Sequence, residues 1–93
     1  MLGFRLIRVR GNSMEPGLPD GSFALFRPVF VPRVGKTVLV EHDAFGLIIK
    51  RIVATSKDAF TIAGTDPRST SSEKLGPITK RQIKGALLLH FAG

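Results

Sequence analysis

Ninety-three residues, 43% hydrophobic and 23% charged, suffice for one small domain with its own core; they exclude a two-domain enzyme and a disordered chain. The absence of cysteine excludes disulfides, thiolate metal sites and a cysteine nucleophile, so any nucleophile has to be a hydroxyl, an amine or a carboxylate. Fourteen Lys and Arg against seven Asp and Glu give a net charge of +7, which suits an anionic partner but, spread from Arg5 to Lys84, equally describes a solvated basic surface.

No apolar stretch approaches the roughly 18–20 residues of a membrane-spanning helix. Arg5, Arg8 and Arg10 interrupt the N-terminal segment, so no secretory signal is read there. The expectation is one domain over residues 1–93, without a transmembrane segment and placed in the cytoplasm.

Ten glycines and six prolines at short intervals favour strands over helices. Phe4–Arg10 reads as a strand ending at Gly11-Asn12. A loop over Ser13–Gly21 follows, with two prolines and a Pro-Asp-Gly turn signal, before a strand at Ser22–Phe26. Thr37–His42 and Leu47–Ala54 are β-prone runs joined by the four-residue loop Asp43–Gly46. Ser56-Lys57-Asp58 turns the chain into a strand at Ala59–Ala63, and Gly64–Ser72 is a polar loop. Lys80–Gly85 reads as a short helical turn or an extended link, and Ala86–Phe91 as a last buried strand. The fold class is therefore mainly β.

Two residues carry candidate chemistry. Lys50 lies mid-strand in Leu47-Ile48-Ile49-Lys50-Arg51-Ile52-Val53, where alternation puts it on the face of Ile48 and Ile52. Desolvation among branched aliphatics lowers a lysine's pKa and releases the neutral amine as a general base; the plain alternative is a lysine whose stem is buried and whose head reaches water. Ser13 follows Gly11-Asn12 at a strand end, where a turn presents both its hydroxyl and its N–H; the plain alternative is a turn serine bonding its own backbone. An amine base beside a serine makes a Ser-Lys dyad, which needs neither His nor carboxylate.

Gly11-Asn12-Ser13-Met14-Glu15-Pro16-Gly17-Leu18-Pro19-Asp20-Gly21 resembles the serine box of the signal peptidase I and LexA-like serine peptidases (S24/S26), roughly G-x-S-M-x-P-x-x-x-x-G-D. Ile49-Lys50-Arg51-Ile52 resembles their lysine box. Gly64, Ser69-Thr70-Ser71-Ser72 and Gly76-Pro77 resemble the late loop of the signal peptidase branch. The size is similar to that of the stand-alone proteases that mature nickel superoxide dismutase. The resemblance implies a small domain of coiled antiparallel sheet, or a partly open barrel, acting as a serine endopeptidase. Ser13 would be the nucleophile, Lys50 the base, and Ser69 the group that orients Lys50, with Ser72 helping behind it. It further implies oxyanion donors at Ser13 N–H and Asn12, and an apolar substrate pocket from Val9, Met14, Leu18 and Ile49. No cofactor or metal is implied; the partner is a protein or peptide substrate, nucleic acid is not required, and peripheral membrane contact and oligomeric state stay open. The chain departs from the pattern at Gly11, which has no hydroxyl, at Thr65-Asp66-Pro67-Arg68, which replaces G-D-N-R, at Ser71, where Asp is usual, and at Asp20-Gly21, which reverses Gly-Asp.

Other chemistries find less support. Glu41-His42-Asp43 and His90 lie too far apart in sequence and too near a hairpin and the C-terminus to read as a triad or metal site. Gly35-Lys36-Thr37 lacks the earlier glycine of a phosphate loop. The rival from another class is a non-catalytic basic β-barrel that binds single-stranded nucleic acid or an extended peptide. For nucleic acid it would use Phe23, Phe26, Phe30, Phe45 and Phe60 as stacking platforms.

Overall fold

The computed structural model describes residues 3–92, so the first two residues and the last of the 1–93 span lie outside it. Seven strands run in chain order: β1 (Arg5–Arg8), β2 (Phe23–Arg27), β3 (Thr37–His42), β4 (Gly46–Ser56), β5 (Ala59–Ala63), β6 (Ile78–Thr79) and β7 (Ile83–Phe91). One helical turn, α1 (Ser72–Leu75), and a 3-10 turn at Lys80–Gln82 complete the described elements. The strands form one sheet in the order β1-β2-β7-β3-β4-β5-β6, with every pairing antiparallel. Its end strands β1 and β6 do not pair with each other; the fold is mainly β, and the sheet is open.

Alternation along β3 explains how one sheet holds two cores. Val38 and Val40 point to one side and join Ile52, Phe60, Ile62 and Leu75. Leu39, between them, points to the other and joins Val9, Met14, Leu18, Ala24 and Phe26. At the β3–β4 hairpin His42 pairs with Gly46, whose φ of +74° belongs to the left-handed region open to glycine. The residue read from sequence as the last of the loop is therefore the first of the strand.

Three segments differ from the sequence reading. Ser72, read as the end of a loop, opens α1, because the Ser71 hydroxyl accepts the Lys74 N–H at 3.3 Å and Leu75 is buried in the first core. Lys80–Gly85 is both alternatives in succession, a turn to Gln82 and then strand. β7 is not a buried last strand: it sits in the middle of the sheet between β2 and β3, yet Leu88, Leu89 and Phe91 stay about half exposed. The bulge between Leu25 and Phe26 leaves Leu88 without a partner on β2, and residues 88–91 are exposed in succession. Among the described residues no helix is long and apolar enough to cross a membrane.

Candidate active site

The turn carrying Ser13 is built from both ends. Beyond β1, Val9 donates its N–H to Ser22 O and accepts from Gly21 N–H, each at 2.8 Å. Gly11 then takes a φ of +83° and donates its N–H to Asp20 Oδ1 at 2.8 Å. Glu15 N–H bonds Asn12 O and Leu18 N–H bonds Met14 O, at 3.1 and 2.9 Å, while Met14 and Leu18 bury their side chains in the second core. Ser13 is left half-buried at the crest. Its N–H has no acceptor among the described residues, which leaves it free to donate to a developing oxyanion.

Lys50 stands opposite Val38 in the β3–β4 register, in one row with Ile48 and Ile52. It is 6% exposed, and desolvation pushes its amine below the ordinary lysine value of 10.5. No carboxylate compensates: the one ion pair among the described residues joins Arg68 to Asp66.

The loop after β5 reaches back to the serine turn. Asp66 N–H donates to Ser13 O at 2.9 Å, and Thr65 Oγ1 donates to Glu15 O at 3.0 Å. Arg68 holds Asp66 through Nε at 3.1 Å and Nη2 at 2.8 Å, with its own N–H adding a third bond to Oδ1 at 2.8 Å. These bonds keep the Asp66 carboxyl ionised down to about 2. Since Arg51 pairs with Ala63, Gly64 comes next alongside Lys50. A Cβ at Gly64 would stand 2.6 Å from Ser13 O and 2.8 Å from Ser69 Cβ, so glycine is what lets the serine turn, the late loop and the lysine strand meet. Sequence reasoning missed Gly64, Thr65 and Asp66 as organising residues. Their signal was an Asp-Pro turn following a glycine, which sequence alone leaves without a partner.

A cleft of about 310 Å³ is lined by residues 7–10, Ser13, Met14 and residues 47–50. Ser13 and Lys50, and also Val9, Met14 and Ile49, thus share one cleft. Leu18 does not line it; it faces a neighbouring hollow of about 410 Å³ under the serine turn. That hollow and a larger one of about 480 Å³ near Phe91 are lined by neither Ser13 nor Lys50. Asn12 is exposed and contributes its carbonyl to the turn, and Ser72 begins α1; neither lines the cleft. Ser69 does not line it either, and places its side chain against Gly64. Among the described residues no hydrogen bond joins the side chains of Ser13, Ser69 and Lys50 directly.

Both walls of the cleft have backbone to offer. β1 is an end strand, and Leu47–Ile49 pair with β3 alone, because the β5 register begins at Arg51. Unpaired edges of this kind are what strand addition uses. Of the five phenylalanines of the rival reading, Phe26 and Phe60 are buried in different cores, Phe23 stacks on Phe91 at 5.6 Å beneath the Arg8 guanidinium, and Phe30 and Phe45 are exposed. The His42 ring is used up by backbone, bonding Leu75 O through Nε2 at 2.7 Å and accepting from Ala44 and Phe45 N–H at Nδ1. Compared with known families, residues 4–87 match the sequence profile described as Peptidase S24-like. No curated protein matches the chain.

Proposed function

Because the chain belongs to the S24-like peptidases, we propose that it is a serine endopeptidase that cleaves an extended segment of a protein precursor, a leader or propeptide, through an acyl-enzyme. The observation that carries this reading is the cleft shared by Ser13 and a buried Lys50 without a carboxylate partner. In the proposed reaction neutral Lys50 Nζ takes the proton of Ser13 Oγ as the oxygen attacks the scissile carbonyl carbon. The Ser13 N–H donates to the oxyanion, a contribution worth about 2.7–4 kcal/mol for one such donor. The Lys50 ammonium then gives its proton to the leaving amine, and the regenerated amine activates water to hydrolyse the ester. Ser69, whose side chain lies against Gly64 outside the cleft, would have to turn toward Lys50 to orient it from the late loop, which the Asp66 and Thr65 bonds hold against the serine turn.

The test is cleavage of peptide libraries by the wild-type chain, with mass-spectrometric trapping of the acyl adduct on Ser13. Ser13→Ala and Lys50→Ala are each expected to abolish turnover with the fold intact. Lys50→Arg is expected to be inactive, since a guanidinium stays protonated. An active Lys50→Ala variant would end the dyad reading. Peptide binding with no turnover by wild type would leave the domain a binding module.

A further inference from the structure

We infer that the cleft selects substrate segments with acidic side chains two residues apart, separated by apolar ones. The inference rests on the peptidase reading of the cleft and adds its substrate class. Two of the cleft's lining residues are arginines, Arg8 and Arg10, and none of the chain's seven acidic residues lines it. Neither arginine has a carboxylate partner among the described residues. Val9 turns both its N–H and its C=O toward the β2 side, to Ser22 and Gly21. In an antiparallel ladder the flanking residues then direct their backbone groups the other way, which puts those of Arg8 on the open edge of β1 and those of Arg10 on the same side just beyond its end.

A peptide strand added along that edge sets its side chains opposite Arg8 and Arg10 at positions i and i+2, while its intervening residue meets the face of Ile7 and Val9. The Arg8 guanidinium rests 5.7 Å from the ring centroid of Phe23, its cross-strand neighbour on β2, and has to swing off that ring to meet a carboxylate on the open edge, so Arg10 is the more available of the two. Across the cleft Leu47, Ile48 and Ile49 present apolar side chains. The walls together ask for a peptide of alternating apolar and acidic residues, and a basic residue opposite either arginine is repelled.

The test uses two forms of the protein. Nine-residue peptides with apolar residues at alternate positions and Glu, Gln or Lys between them are titrated against Ser13→Ala by fluorescence anisotropy, and the same peptides are offered to wild type for cleavage. Glu peptides are expected to bind about two- to thirtyfold tighter than Gln peptides, the combined worth of two opposite-charge cross-strand pairs, with the advantage shrinking in high salt. Arg10→Glu is expected to reverse the order of Glu and Lys peptides; if it fails to fold, Arg10→Ala serves, and is expected to reduce the Glu advantage. Equal binding of all three peptide sets, an unchanged order in a folded Arg10 variant, or equally tight binding of a single-stranded oligonucleotide overturns the inference. Cleavage without charge preference removes the inference and leaves the peptidase reading standing. Charge-selective binding to Ser13→Ala with no cleavage by wild type supports the inference and removes the peptidase reading.

Discussion

Gly64→Ala tests whether the late loop positions the dyad. Gly64 has no left-handed φ, so alanine is compatible with its backbone, and by unfolded-state entropy alone the change would stabilise the chain by about 0.4–1 kcal/mol. The added Cβ opposes this, standing 2.6 Å from Ser13 O and 2.8 Å from Ser69 Cβ, against the roughly 3.5–4.0 Å at which carbon atoms rest together. The Ser69 hydroxyl can rotate away, although its Cβ stays in place. The Ser13 carbonyl cannot, because Asp66 N–H holds it at 2.9 Å, so relief means driving the serine turn and the late loop apart by several tenths of an ångström. Overpacking of this kind costs about 1–3 kcal/mol, which outweighs the entropic gain or, at its low end, cancels it. At about 4–8 °C per kcal/mol for a domain of this size, a net loss of up to about 2.6 kcal/mol lowers the melting temperature by as much as roughly 20 °C. Activity is expected to fall further than stability, since about 1 Å of misplacement at a reacting group costs on the order of 10²-fold. Thermal unfolding by circular dichroism and the rate of Ser13 acylation by an activated ester, measured well below the melting temperature, check the two parts. A variant that melts at the wild-type temperature or above and acylates at the wild-type rate would refute the positioning argument.

Four further outcomes are expected. Burial lowers the Lys50 pKa, so activity should rise with pH to a midpoint below 10.5, read from a pH–rate profile or a lysine Cε NMR titration. The unfolded chain then binds more protons between the lowered value and 10.5, so stability rises with pH across that interval; Lys50→Met, which removes the buried cation, should raise stability near neutral pH by about 1–3 kcal/mol, and denaturant unfolding decides. Asp66 titrates at about 2 when folded against an ordinary 3.8, so its stabilisation is present above about pH 4 and lost as pH falls toward 2; acid unfolding of Asp66→Asn should lack that part of the pH dependence. His42→Ala strips Leu75 O and the Ala44 and Phe45 N–H groups of their partner and should destabilise by about 1–3 kcal/mol, measured by urea unfolding.

Much of this fold was legible from local pattern. Thr37–His42 and Ala59–Ala63 are strands over the residues their β-branched runs predict, and the burial of Lys50 follows from its row with Ile48 and Ile52. The exposed end of β7 was not, since Leu87-Leu88-Leu89 reads as core although Leu88 and Leu89 are about half exposed in the folded chain. Leu18 carries the same lesson: its apolarity announced burial, and only the path of the serine turn shows that it packs behind the cleft.

Sequence by itself determined the mainly β character and the strand spacing, because propensity, alternation and turn chemistry act within a few residues; Ser13 and Lys50 were singled out by their resemblance to the serine and lysine boxes. Tertiary structure alone decided that the loop at Gly64–Asp66 closes on the turn at Ser13 across some fifty residues of chain, and that two unpaired strand edges border one cleft. Those contacts depend on sheet order and on the absence of a Cβ at Gly64. Long-range packing of this kind fixes which surfaces meet, and no local pattern in the chain encodes it.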